Sequence, residues 1–175
     1  TGGSIRSPAG YCGVVGLKPT YDALPRDGVF PLSADLDHVG PIAASVADAA
    51  VMAQAMGCPA TSCLGRPVAG MTIGYARDWF ADDPATQPAI LMAMDRAMSD
   101  LSLLGMRVEL IDLPDYAAVE LVGVTLLQYQ ALEVHRDGTD GGKYGRQALE
   151  SLLSGRHLTA ADLAAARKQA QRYRT

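Results

Sequence analysis

Three consecutive residues near the start of the chain, Gly2, Gly3 and Ser4, have side chains and spacing suited to acyl-transfer chemistry. A serine hydroxyl becomes a nucleophile when a base takes its proton, and the oxyanion formed by its attack needs fixed hydrogen-bond donors. Because glycine has no Cβ, both glycines can adopt positive φ and turn successive backbone N–H groups toward one point. Such a turn could hold a tetrahedral oxyanion, a phosphate group, or no ligand at all.

Other side chains could contribute to a site near this turn. Asp37 and His38 lie in a long loop over residues 21–41 and could form a carboxylate–imidazole pair, or simply a structural turn. Arg6 could bind a substrate carboxylate. Cys12 could act as a nucleophile, but a small buried residue is the better interpretation of this cysteine.

Composition limits the classes of protein to be considered. Of 175 residues, 49% are hydrophobic and 19% are charged, which is typical of a folded domain with its own core. The net charge of -4 argues against nucleic-acid binding, and no apolar run approaches the roughly 18–20 residues that cross a bilayer. Three cysteines without metal-site spacing indicate free thiols, and we expect a cytoplasmic protein that needs no metal or cofactor.

The periodicity of apolar residues and the capping signals predict an α/β fold. Strands are predicted at residues 14–17, 71–76 and 107–113. Helices are predicted after the caps Ser45, Asp83 and Thr159 and at residues 115–135 and 147–153, the last helix continuing to residue 175. The order strand, helix, strand after residue 71 favours a parallel βαβ unit.

Residues 1–21, TGGSIRSPAGYCGVVGLKPTY, closely resemble the core of the amidase signature family, G-S-S-x-G-D-T-G-G-S-I-R-x-P-A-x-x-C-G-x-x-G-L-K-P-T. Residues 36–52, LDHVGPIAASVADAAVM, are similar to its S-x-D-x-x-G-P-x-x-x-S-V-x-D-A-A segment. The likeness is weaker at residues 70–80 and 154–172. The positions of the first segment that agree are Thr1, Gly2, Gly3, Ser4, Ile5, Arg6, Pro8, Ala9, Cys12, Gly13, Gly16, Leu17, Lys18, Pro19 and Thr20.

The resemblance implies a hydrolase of carboxamides with a mixed sheet covered by helices on both faces. Such enzymes use a serine nucleophile, a bridging serine in a cis peptide and a lysine. Ser4 matches the nucleophile, and the backbone N–H groups of Thr1, Gly2, Gly3 and Ser4 match the oxyanion hole. Attack forms an acyl-enzyme and releases ammonia or an amine. Arg6 is then expected to be a buried partner of an acid, so that Arg6 and Cys12 support the site structurally.

In the family, the lysine and the bridging serine both precede the nucleophile. The three lysines of this chain are Lys18, Lys143 and Lys168, and none matches the catalytic position. Lys18 belongs to the G-L-K-P-T segment, where a structural role is expected. We therefore expect residues 1–175 to be the central part of a single amidase domain, without its N-terminal and C-terminal portions, and to be inert alone.

The resemblance leaves two functions open for the complete protein. One is a stand-alone hydrolase of a small-molecule or acyl amide, with which a homodimer is compatible. The other is the glutamine-hydrolysing A-type subunit of a tRNA-dependent amidotransferase. That branch tends to carry an arginine shortly before the glycine that matches Gly155, where this chain has Glu150 and Ser151. This difference favours the hydrolase.

Overall fold

The structure, a computed structural model, describes residues 1–58, 63–139 and 142–173. The chain forms two compact units, Thr1–Leu64 with Tyr116–Thr175 and, separately, Gly65–Asp115. Among the described residues, none of the helices combines the length and the apolar character that crossing a membrane requires.

The elements follow one another in a mixed order of helices and strands, which confirms the predicted α/β class. Two short 3-10 helices, Arg136–Gly138 and Ser154–His157, flank the sixth α-helix. In chain order, the helices and strands are α1 (Arg6–Cys12), β1 (Val15–Gly16), β2 (Ile42–Ala43), α2 (Val46–Ala55), β3 (Thr72–Tyr75), α3 (Arg77–Ala81), α4 (Pro88–Leu103), β4 (Arg107–Leu110), α5 (Tyr116–His135), α6 (Arg146–Leu153) and α7 (Ala160–Arg172).

Helix α1, which begins two residues after Ser4, is not predicted by the sequence pattern. The helix ends at Gly13, whose φ of 65° is left-handed and whose N–H bonds back to the carbonyl oxygens of Ala9 and Gly10. Ile5 and Ala9, one helical turn apart, are buried at 8% and 2% exposure. The segment around Ser4 is thus held to the core through one face of α1.

The capped helices of the first unit are confirmed. The Ser45 hydroxyl accepts a hydrogen bond from the Asp48 amide at 3.1 Å at the start of α2. Thr159 and Asp162 form a reciprocal capping box at the start of α7. The last helix is predicted to continue to residue 175, but α7 ends at Arg172 and the described Tyr173 lies beyond it. Residues 174 and 175 lie outside those that the structure describes.

Strand β1 pairs with β2 in antiparallel register, Val15 opposite Ala43 and Gly16 opposite Ile42. The sequence pattern does not predict β2, because two residues are too few for a periodic signal. Gly40 lies just before this pairing, and a Cβ there would lie 2.2 Å from the Leu17 carbonyl oxygen. The close approach of these two backbones requires glycine.

The long loop of the first unit is tied to α5 by buried polar side chains and to α7 by an ion pair at the surface. The fully buried Ser33 donates its hydroxyl to Gln130 Oε1 at 2.6 Å. Gln130 Nε2 donates to Asp35 Oδ2 at 2.6 Å, and Arg167 Nε donates to the same oxygen at 2.7 Å. These bonds fix the loop on two helices that are far away in sequence.

The second unit contains the predicted βαβ crossover. Strands β3 and β4 are parallel, with Ile73 opposite Val108, and α4 connects them. The prediction that α4 begins at Asp83 is wrong, because the helix begins at Pro88. The Asp83 carboxylate instead accepts a hydrogen bond from the Ala85 amide at 2.8 Å and closes a turn.

Candidate active site

The residues around Ser4 form a tight turn. Gly2 and Gly3 have φ values of 51° and 127°, in the region that favours glycine. The N–H groups of Gly3 and Ser4 both donate to the Thr1 carbonyl oxygen, at 2.6 and 3.1 Å. A Cβ on Gly3 would lie 2.9 Å from the Ser7 hydroxyl oxygen. Backbone conformation and lack of space therefore both explain the glycine at position 3.

Ser4 is exposed, and its hydroxyl donates to the Thr1 carbonyl oxygen at 3.1 Å. A carbonyl oxygen accepts a hydrogen bond but is too weak a base to take the proton. The same carbonyl oxygen accepts the N–H groups of Gly3 and Ser4, two of the four N–H groups that are matched to the oxyanion hole.

Asp37 binds the residue at the start of this turn. The Thr1 hydroxyl donates to Asp37 Oδ1, while the amides of Leu32 and Ser33 donate to Oδ2 at 2.8 and 3.0 Å. Partial burial by itself raises the pKa of Asp37. The hydrogen bonds from Thr1, Leu32 and Ser33 outweigh that effect, so that the pKa of Asp37 lies below its ordinary value.

His38 contacts Lys18 instead of Asp37. Its Nδ1 lies 2.8 Å from the Leu36 carbonyl oxygen, which assigns the imidazole proton to Nδ1. Nε2 is then free to accept a hydrogen bond from Lys18 Nζ at 3.2 Å. The carboxylate–imidazole pair suggested for Asp37 and His38 is not formed, because these two side chains have separate partners.

Arg26 organises the loop behind His38, and the sequence did not reveal this role. Its guanidinium donates to the Ala34 carbonyl oxygen at 2.8 Å and to the Tyr21 hydroxyl at 3.0 Å. It also pairs with Asp22 at 2.7 Å. The Tyr21 ring packs edge-on to the His38 imidazole, with 5.4 Å between centroids. The imidazole is therefore held on two sides.

An open cavity of about 530 Å³ adjoins Ser4 within the first unit. Lys18 and His38 line it together with residues of the turn around Ser4 and of α5. The complete lining is Thr1, Gly2, Gly3, Ser4, Ile5, Arg6, Lys18, Leu36, His38, Tyr116, Val119, Glu120, Gly123, Val124 and Leu127.

Two predictions about supporting residues are corrected. Arg6 is exposed and lines the cavity, because it leaves the helix on a different side from the buried Ile5. Within the described residues, Arg6 has no acid at ion-pair distance. Cys12 is exposed rather than buried, since no described element covers this end of α1. In the same described part of the chain, His, Cys, Asp and Glu side chains form no group of three that could hold a metal ion.

Residues 1–156, which include the turn, the loop and α5, match the family model described as Amidase. The chain belongs to the amidase family. The A-type subunit of glutamyl-tRNA(Gln) amidotransferase from Akkermansia muciniphila is 33% identical to it over 162 residues, 85% of this chain and 34% of that protein. This amidase chain thus spans about one third of the length of the curated relatives that it matches.

Solved structures of amidases share its fold. A structure described as a crystal structure of amidase matches 99% of this chain and 39% of its own, with a TM-score of 0.86 and 32% identity. The native peptide amidase of Stenotrophomonas maltophilia matches 97% of this chain and 42% of its own, with a TM-score of 0.66 and 27% identity. The fold implied by the sequence resemblance is therefore confirmed.

Proposed function

We propose that the complete protein hydrolyses a carboxylic amide, with Ser4 as the nucleophile. The observation that carries this proposal is the position of Ser4, which follows two positive-φ glycines and faces the open cavity that α5 also lines. A substrate amide in that cavity can reach the serine hydroxyl, and membership of the amidase family supports this reaction class.

The reaction proceeds in two halves. Ser4 Oγ attacks the amide carbonyl carbon, the C–N bond breaks, and ammonia or an amine leaves with a proton. The acyl group is then an ester of Ser4, and water attacks this ester to release the acid and restore the hydroxyl. One base can serve both halves, since it removes a proton from Ser4 first and from water later.

The base is proposed to be a lysine that acts through a bridging serine, as the family resemblance implies. Within the described residues, the Ser4 hydroxyl bonds to the Thr1 carbonyl oxygen, which cannot serve as the base. Lys18 faces the same cavity, but its ammonium donates to His38 Nε2 and, at 2.6 Å, to the Pro19 carbonyl oxygen. These contacts support a positioning role for Lys18, and the base is assigned to residues of the complete protein outside this chain.

The oxyanion is proposed to bind the backbone N–H groups of the turn from Thr1 to Ser4. The N–H groups of Gly3 and Ser4 converge on the Thr1 carbonyl oxygen, so they are already directed at one acceptor. A negatively charged oxygen accepts stronger hydrogen bonds than a neutral carbonyl oxygen does. The developing oxyanion can therefore displace the Thr1 carbonyl from these donors.

A second candidate function is glutamine hydrolysis by the A-type subunit of an amidotransferase. The relative from Akkermansia muciniphila bears that description, and it is 33% identical to this chain. In such a protein the released ammonia would pass to a partner. We favour the stand-alone hydrolase because Glu150 and Ser151 replace the arginine expected before Gly155. The homodimer stays a prediction.

The experiment compares the full-length protein with its Ser4→Ala variant. Ammonia release is measured from a panel of primary amides and from glutamine, with and without co-expressed partner proteins. We expect hydrolysis of simple amides by the protein alone and a loss of at least about a thousandfold in the variant. Ser7→Ala is the matched control, since Ser7 lies in the same segment outside the cavity lining.

Two results would contradict parts of this proposal. Activity that survives Ser4→Ala would exclude Ser4 as the nucleophile. Glutamine hydrolysis that appears only with a co-expressed partner would identify the protein as one component of an amidotransferase instead.

A further inference from the structure

One face of α5 forms a wall of the Ser4 cavity. Its six lining residues recur at intervals of three and four, which places them on a single side of the helix. They are Tyr116, Val119, Glu120, Gly123, Val124 and Leu127. All six belong to the same compact unit as Ser4.

Gly123 lies at the centre of this wall, in the interior of a 20-residue helix. Glycine is among the least favourable residues at such a position, so its presence needs a reason. A Cβ at Gly123 would have no described heavy atom within 4 Å, apart from its own helix backbone and chain neighbours. Its φ is not in the positive region either. Neither packing nor backbone conformation requires glycine there.

Gly155 shows the opposite situation in the same unit. A Cβ at Gly155 would lie 2.2 Å from the Gln128 carbonyl oxygen of α5, so close packing explains that glycine. At Gly123 the missing side chain leaves space in the cavity instead. The glycine at position 123 therefore enlarges the cavity beside Ser4 and has no effect on how α5 packs.

The surface around Gly123 is apolar. Val119 and Val124 are each 38% exposed, and Leu36 of the loop also lines the cavity. The carboxylate on this wall belongs to Glu120, and it accepts a hydrogen bond from the Tyr116 hydroxyl at 3.1 Å. Exposed apolar side chains in a cavity bind an apolar group favourably, because binding removes both surfaces from water.

Resting on the proposed role of Ser4, we propose that Gly123 is a specificity-determining residue that leaves room for a bulky apolar acyl group of the amide substrate. The acyl group packs against Val119 and Val124 while its carbonyl carbon meets Ser4. A side chain at position 123 would extend from the α5 wall into the same space. It would exclude large acyl groups and leave small ones unaffected.

The test uses the full-length protein and two primary amides, propionamide and 3-phenylpropionamide. We expect Gly123→Leu to lower kcat/KM for 3-phenylpropionamide by at least about tenfold relative to propionamide. Ala117→Leu is the matched control, because Ala117 is an exposed residue of α5 outside the cavity lining, and its ratio should equal that of the wild type. Gly123→Ala should lower the ratio of kcat/KM for 3-phenylpropionamide to that for propionamide by a smaller factor. This variant replaces Gly123→Leu in the test if the leucine variant does not fold.

The inference is overturned if neither Gly123 variant changes the ratio, or if Ala117→Leu changes it equally. Wild-type activity confined to propionamide or to glutamine also overturns it. Ser4→Ala, assayed on the same two amides, tests the proposed function separately. If Ser4→Ala abolishes both activities while Gly123→Leu leaves the ratio unchanged, only the role of Gly123 is wrong. If Ser4→Ala retains them, the proposed function itself fails.

Discussion

The Thr1 hydroxyl donates a hydrogen bond to the Asp37 carboxylate, although 36 residues separate them along the chain. The same carboxylate accepts the amides of Leu32 and Ser33, so its position is set by the loop backbone. Thr1 in turn accepts the N–H groups of Gly3 and Ser4 at its carbonyl oxygen. Asp37 is therefore a positioning residue for the turn that carries Ser4.

Replacing Asp37 by asparagine should disturb this turn without removing Ser4, the proposed nucleophile. We expect Asp37→Asn to lower kcat for amide hydrolysis by about ten- to a hundredfold with a smaller change in KM, because misplaced reacting groups cost mainly rate. Thr1→Val should have a similar effect, whereas Thr1→Ser keeps a hydroxyl donor and should retain activity. The loss in the double variant Thr1→Val/Asp37→Asn should be smaller than the sum of the two single losses, in free-energy terms. Asp27→Asn, an exposed aspartate of the same loop, is the control. Additive effects of Thr1→Val and Asp37→Asn would contradict the coupling.

Asp37 should also contribute to the pH dependence of stability. Its pKa in the folded protein lies below the ordinary value of 3.8, since hydrogen bonds from Thr1, Leu32 and Ser33 outweigh the effect of burial. A depressed carboxyl pKa stabilises the fold above the unfolded pKa, and this contribution is lost as the pH falls through the folded pKa. The free energy of unfolding, measured by urea denaturation between about pH 2.5 and 7, should fall more steeply with decreasing pH for the wild type than for Asp37→Asn. If the free energy of unfolding depends on pH in the same way for the wild type and for Asp37→Asn, Asp37 makes no such contribution.

Lys18 should prove to be a positioning residue. Because its ammonium donates to His38 and to the Pro19 carbonyl oxygen, we expect Lys18→Met to lower kcat/KM by less than about tenfold, against at least about a thousandfold for Ser4→Ala. The exposed Lys168 of α7 supplies the control variant Lys168→Met. A loss in Lys18→Met as large as that in Ser4→Ala, with the fold intact, would identify Lys18 as the base.

The buried contact between Ser33 and Gln130 should contribute to stability. Gln130→Leu removes the acceptor of the fully buried Ser33 hydroxyl, and an unpaired buried polar group costs about 1–3 kcal/mol. Urea denaturation of the full-length protein should show a decrease of that size in the free energy of unfolding. Gln147→Leu, at an exposed position of α6, should show little change. An equal effect of the two substitutions would contradict a specific role for Gln130.

Local features of the fold could be predicted from the sequence, because they depend on neighbouring residues. Ser45 and Thr159 cap helices through residues three positions ahead, and the βαβ unit follows from apolar periodicity over residues 71–113. Helix α1 escaped prediction because its seven residues, RSPAGYC, are too few for a helical period and include Pro8 and Gly10. Asp83 has the sequence context of a helix cap, although its carboxylate closes a turn five residues before α4 begins.

The candidate site combines a local motif with contacts between distant residues. Ser4 and its two glycines are predicted as a site from the sequence alone, because the residue types that suggest the chemistry occupy adjacent positions. Other parts of the site depend on how the loop and α5 fold onto the turn. These are the bond from Thr1 to Asp37, the contact of Lys18 with His38 and the wall around Gly123. No spacing in the sequence encodes such contacts. The exposure of Cys12 escaped prediction likewise, since burial depends on what covers the end of α1.

Covalent labelling can show whether Ser4 is the nucleophile that carries the acyl group. The full-length protein is treated with a fluorophosphonate, which reacts with activated serines, and is then digested with trypsin and examined by mass spectrometry. We expect a single adduct on Ser4, in the peptide that ends at Arg6, formed in step with the loss of amide hydrolysis. Complete inactivation with the adduct on another residue would contradict this assignment.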